Sequence, residues 1–165
     1  MKLIISDAHA GLKAAKRAVL PSVPWQRCQF HLQQNAQSYA PKQSMKKEIA
    51  SDIRAILQAP NQEEANRLLQ KAVQKYQQST PELAAWMETN VPESLTIMQF
   101  KESHRRRLRT SNIAERVNRE LKRRTRCVGI FPNVESCLRL VSALAAEIDE
   151  EWQTGKAYIG MGEEN

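Results

Sequence analysis

The sequence predicts a helix-dominated α/β chain on three observations. A short β-α-β pattern opens it, apolar residues recur at helical spacing from Lys42 onward, and the composition holds only 5 glycines and 5% aromatic residues. A β-sandwich or barrel would need more turns and more strand formers. The 165 residues suit one modest domain or a piece of a larger one. No apolar run approaches the roughly 18 residues of a membrane span, and Leu3 to Ile5 is too short for a signal-peptide core, so a cytoplasmic chain with no membrane partner is expected. Cys28, Cys127 and Cys137 form an odd set without framework spacing, which predicts reduced thiols.

Each element has its own warrant. Lys2 to Ser6 is a short apolar run ending at Asp7, and Ala8 to Leu20 has helical spacing, with Leu12, Ala15 and Val19 on one side, until Pro21 and Pro24 stop it. In Trp25 to His31, Gln26, Cys28 and Phe30 alternate with Arg27 and Gln29, as in a second strand. A β-α-β unit over residues 1–32 follows, with Asp7 and His31 at the carboxyl ends of its strands, where open α/β sheets collect ligands. Residues 33–92 read as a helical insertion. Met45, Ile49, Ile53 and Ile56 make one stripe, Leu68, Leu69, Ala72, Val73 and Tyr76 a second after an Asn61 cap, and Thr80-Pro81-Glu82 announces a third helix. Trp86 is expected to pack rather than to stack on bases. Residues 93–154 form the last segment: Ser94 to Phe100 is strand or loop, and the arginine-rich stretch to Arg109 is irregular. Ser111 to Thr125 is a helix through Ile113, Val117 and Leu121, and a final helix from Asn133 to Trp152 carries Leu138, Val141, Leu144 and Ile148. The tail, 155–165, reads as loose.

The net charge of +7 is concentrated in one place. Between Lys101 and Arg126 stand eleven basic side chains and three acidic ones, while the rest of the chain is nearly neutral. Solvated faces usually mix signs, and so one-sided a run repels itself unless a polyanion relieves it. Nucleic acid is the expected partner, through Arg105, Arg106, Arg107, Arg109, Arg116, Arg119, Lys122, Arg123 and Arg126. Five of them on phosphates would give a log-log salt slope of about −4.5 on duplex DNA. A stacking RNA binder would need interleaved aromatics, which this run lacks.

Two carboxylates invite a chemical reading. At ~100° per residue, Glu115 lies roughly opposite the Ile113-Val117-Leu121 stripe, on the side of Arg119, Lys122 and Arg126. It could pair with Arg119, close a capping box with Asn112, or hold Mg²⁺ among phosphate-binding cations. Asp7 could cap the helix after it, or serve as a catalytic carboxylate on a rigid strand end. Cys28-x2-His31 has half the spacing of a zinc site, but no second pair follows, so a buried Cys beside a hydrogen-bonded His is the simpler reading.

The blocks Asp7-x3-Gly11-Leu12, Pro21 and Gln26-Arg27-Cys28-x2-His31, then Ser111-Asn112-x2-Glu115-Arg116-x-Asn118-Arg119-Glu120-Leu121-Lys122-Arg123-Arg124, resemble Mutator-type transposases, a group that includes many bacterial insertion-sequence enzymes. The resemblance covers nearly the whole chain, with the helical insertion between its blocks. It implies part of a ribonuclease H-like fold, an Asp-Asp-Glu triad in which Asp7 matches the second Asp and Glu115 the Glu, and Mg (or Mn) ions for strand cleavage and transfer on DNA. Cys28 and His31 match the family's C-x2-H motif, which shapes the region near the site. The first Asp has no counterpart, because the six residues before Asp7 hold no acid, and Asp52 belongs to the insertion. The expectation is therefore the carboxyl-terminal part of a transposase, unable to cut DNA alone and prone to self-association through an uncovered sheet edge. A homo-oligomer or a mixed assembly with full-length transposase is the expected protein partner. The rival reading is a non-enzymatic basic DNA-binding module that regulates such a transposase.

Overall fold

The computed structural model describes residues 2–155 and divides into two compact units, Met1–Ser111 and Asn112–Asn165. The division falls inside the segment read from the sequence as 93–154. Helices dominate, with one two-stranded sheet, so the helix-rich α/β expectation holds. Among the described residues no helix is long and apolar enough to cross a membrane. Cys28, Cys127 and Cys137 are all free thiols.

The first unit opens with β1 (Ile4–Ser6), α1 (Ala10–Val19) and β2 (Trp25–Arg27). The strands pair in parallel, Ile4 with Trp25 and Ser6 with Arg27, as the β-α-β reading requires. β2 is shorter than expected. It stops at Arg27, and Cys28 becomes the N-cap residue of a helix the sequence does not announce, α2 (Gln29–Ser38). Leu32 and Ala36, four residues apart, carry the buried side of that helix, so Phe30 turns outward instead of continuing a strand alternation. His31 therefore lies in a first helical turn rather than at a strand end.

The predicted stripes build the core of the insertion. Helices α3 (Gln43–Leu57), α4 (Gln62–Gln77) and α5 (Pro81–Asn90) bury Ile49, Ile53 and Ile56, then Leu69, Ala72 and Tyr76, then Leu83 and Met87 in one cluster shared with α2. Full burial of each such aliphatic side chain stabilises the fold by roughly 1.5–3 kcal/mol. Asn61 caps α4 as read, its side-chain oxygen accepting from Glu64 N at 2.8 Å, and Pro81 opens α5. Trp86 packs: its ring lies 5.5 Å from that of Tyr39, against the cluster. Ser94 to Phe100, open in sequence terms between strand and loop, is neither for most of its length. Two 3₁₀ turns, Pro92–Ser94 and Thr96–Gln99, lead to the short α6 (Glu102–Arg105).

These turns hold the sheet in place. Gln26 is fully buried on β2 and clasps them: its Nε2 donates to Ser94 O at 2.7 Å, and its Oε1 accepts from Ile97 N at 2.9 Å. Thr96 Oγ1 donates to Trp25 O at 2.8 Å. The turns are thus fastened to β2 through one buried side-chain amide and one strand carbonyl.

The second unit contains α7 (Asn112–Val128) and α8 (Val134–Thr154). Gly129, in the left-handed region at φ 75°, ends α7, its N–H donating to Thr125 O at 3.3 Å. Asn133 caps α8 by accepting from Ser136 N at 2.8 Å. Ile113 and Val117 of α7 and Leu144, Ile148 and Trp152 of α8 line the groove between the two helices. The tail read as loose lies outside the described residues except Gly155, whose N–H donates to Glu151 O.

Candidate functional site

At the carboxyl ends of the two strands, the parallel ladder brings the Asp7 and Cys28 segments side by side. Cys28 N donates to Ser6 O at 2.7 Å, one residue before Asp7. Asp7 is exposed and does not cap α1. His9 takes that role, its Nδ1 accepting from Gly11 N at 3.2 Å, while Asp7 Oδ1 accepts a long bond of 3.4 Å from His9 N. The carboxylate is thus left facing solvent at a fixed strand end, which suits a ligand more than a cap. Cys28 is fully buried and His31 partly so.

A group that the sequence reading overlooks supports this end of the sheet. Arg27, only 3% exposed, points Nη1 at Asn90 Oδ1 and Glu93 Oε2, and its guanidinium lies 5.4 Å from the centre of the Trp86 ring. In the amide orientation that satisfies both ends, Asn35 accepts from Arg27 Nη2 at 3.1 Å and donates to His31 O at 3.3 Å. Burial lowers the Arg27 pKa and Glu93 opposes that shift; the group stays cationic. One buried cation therefore ties β2, the His31 turn of α2 and the end of α5. The available signal is an arginine in a strand flanked by buried residues, but alternation alone places it on a solvent face.

The basic run divides by role. Arg105, expected among the DNA contacts, gives its guanidinium to main-chain carbonyls: Nε to Phe100 O, Nη1 to Pro60 O and Nη2 to Met98 O, all within 3.1 Å. Its work is to fasten α6 to the turns before it. Arg109 accepts at its carbonyl from Gln29 N at 2.9 Å, which brings the arginine-rich stretch to the start of α2, beside the C-x2-H residues. Arg106 and Arg107 are exposed.

In the second unit, Glu115 sits half-buried in the first turn of α7, where a carboxylate also complements the helix dipole. Arg119 has no ion-pair partner among the described residues, so the suggested Glu115–Arg119 pair is not formed. Arg116, Arg119, Lys122 and Arg126 are exposed. Arg123 and Arg124 both bind Glu120, at 2.6 and 2.9 Å, and these bonds draw the Glu120 carboxyl down to about 2.

The strand-end carboxylate and the Cys-x2-His turn beside it in the first unit, and Glu115 and Glu120 among the cations of α7 in the second, all fall within the sequence blocks that resemble Mutator-type transposases. Residues 1–155 match the family described as Transposase, Mutator family, and the chain belongs to that family. It is 61% identical over 159 residues to the transposase for insertion sequence element IS406 of Burkholderia multivorans, covering 96% of this chain and 41% of that protein. Over 161 residues it is 38% identical to the transposase for ISRM5 of Rhizobium meliloti, covering 98% of this chain and 40% of the relative. The transposase for IS256 in transposon Tn4001 of Staphylococcus aureus is 32% identical over 165 residues, covering 97% of this chain and 41% of its own length. The chain thus spans about two-fifths of the length of these relatives.

Proposed function

We propose that this chain is the part of an insertion-sequence transposase that carries the second and third carboxylates of an Asp-Asp-Glu triad on a ribonuclease H-like framework, with DNA as its substrate. The observation that carries this reading is Asp7. The strand ladder fixes its main chain, yet its carboxylate stays exposed and nearly uncommitted. Glu115 is the second residue, on a helix whose exposed side is cationic.

Asp7 and Glu115 offer oxygen donors, the set that Mg²⁺ or Mn²⁺ prefers, and would hold such ions together with one further carboxylate. Bound there, a divalent pair would supply a nucleophile at neutral pH and neutralise charge on the leaving oxygen. The chain's own residues do the rest. The basic side chains align the duplex for in-line attack, which is positioning rather than base reading. Cys28 and His31 shape the wall beside Asp7, and neither is assigned a proton transfer.

The test grafts residues 1–155 in place of the matching segment of the IS406 transposase and measures Mg²⁺-dependent strand transfer. The hybrid is expected to be active, and Asp7→Asn or Glu115→Gln to lower transfer by at least 100-fold while DNA affinity holds or rises. Retention of activity in either variant would overturn the catalytic assignment. An inactive hybrid that still binds DNA would favour the regulatory module instead.

A further inference from the structure

The nine cations read as DNA contacts differ in their availability, and α7 shows why. At ~100° per residue, Glu115, Arg119, Lys122 and Arg126 fall within about 60° of one another on the helix, while Arg116 and Arg123 lie some 80–100° from Glu115 and Arg124 lies opposite it. Arg119, Lys122 and Arg126 are exposed, and no ion pair holds them among the described residues. Glu120 meanwhile binds both Arg123, through two bonds of 2.6 and 2.9 Å, and Arg124.

We infer that the Arg119-Lys122-Arg126 stripe is the DNA-backbone track of this chain and that Glu120, about 100° or more round the helix from it, holds Arg123 at its edge and Arg124 on the opposite face away from it. The inference rests on the DNA-handling reading above and names the surface that does it. From Arg119 to Arg126 the stripe covers about 10.5 Å of helix axis, roughly three nucleotide steps at ~3.4 Å each. It starts one turn beyond Glu115 and leads away from it. A single strand laid along it would thus run outward from the carboxylate, so cations hold the flanking phosphates while the scissile one stays at Glu115.

The experiment measures binding of the full chain to a random 30-base-pair duplex between 50 and 300 mM NaCl, with helix content followed by circular dichroism as a check on folding. The triple variant Arg119→Ala/Lys122→Ala/Arg126→Ala is expected to reduce the log-log salt slope by about 2.7, one ~0.9 step per lost phosphate contact. Arg123→Ala/Arg124→Ala should leave the slope unchanged. Glu120→Gln should steepen it by about 0.9, because of the two arginines released only Arg123 borders the stripe. Because Glu120→Gln adds affinity, a misfolded variant cannot imitate it. Equal losses from the triple and double variants, or no change in Glu120→Gln, would overturn the inference while leaving DNA binding intact. A wild-type chain whose binding ignores salt would remove the DNA reading itself.

Discussion

Two stretches of the first unit treat their apolar side chains in opposite ways. In the α2–α5 insertion the stripes face one another, and Ile49, Ile53, Leu83 and Met87 are sealed from water. In α1 no residue is buried: Leu12 is 51% exposed and Val19 74%, over a shallow groove that they line with Ile4, Ala15, Leu20 and Trp25. The insertion closes a core from its own residues. The β-α-β unit has one apolar face covered, by the clasp around Gln26, and another open. Self-sufficiency in this protein is a local property, and the region that holds Asp7 has least of it.

The largest expected effect tests that contrast directly. Ile53→Ala removes packing from a filled core and should destabilise the fold by about 2–5 kcal/mol, whereas Leu12→Ala, on the open face, should stay within about 0.5 kcal/mol. Chemical denaturation of both variants checks this. The same exposed face predicts self-association of the chain, and Leu12→Glu/Val19→Glu should reduce the sedimentation-average mass without shifting the unfolding midpoint by more than a degree or two. Equal stability losses from Ile53→Ala and Leu12→Ala would erase the distinction between the two stretches.

The next effect concerns the covered face. Gln26→Leu would leave Ile97 N without its buried partner, while Ser94 O keeps Gln29 Nε2 at 3.1 Å, costing about 1–3 kcal/mol, and would loosen β2 at the end that carries Cys28. Hydrogen exchange should show faster exchange at Ile97 and along residues 25–29, with little change in α3 and α4. Uniform protection loss across the whole unit would show that the clasp and the helical core form one cooperative body.

How far the sequence reveals all this depends on the strength of each local signal. The insertion is legible because Ile49, Ile53 and Ile56 repeat at helical spacing, and Asn61 announces its second helix as a cap. α2 is not legible. Its ten residues, Gln29–Ser38, contain few apolar ones, and the run from Gln26 to Phe30 satisfies strand alternation equally well. Glu115 and its cationic neighbours can be placed from helical periodicity alone. The role of Arg105 cannot, because it depends on three carbonyls, at 60, 98 and 100, that only the folded chain brings together. Arg27 eludes the sequence reading for the same reason: its partners Asn90 and Glu93 lie more than sixty residues away.

The smallest effect belongs to the outer surface of the self-sufficient stretch and appears only in alkali. Tyr76 hydroxyl donates to Asp52 Oδ2 at 2.7 Å, and Lys75 reaches both Asp52 and Glu48. Burial first, and then the bond to Asp52, push the Tyr76 pKa well above its ordinary value of 10.0. Lys75 is also raised: burial opposes the rise, but the bonds to Asp52 and Glu48 outweigh it. Both groups therefore keep their protons longer folded than unfolded. Their contribution is complete below about pH 10 and declines as the pH rises above it, because the unfolded chain releases protons that the folded one retains. Tyr76→Phe should cost about 1 kcal/mol at pH 8 and flatten the fall in stability between about pH 10 and 11.5. Denaturation midpoints at pH 8, 10 and 11 check this, and a Tyr76→Phe variant that loses stability above pH 10 as steeply as the parent would assign the alkaline limb to Lys75 alone.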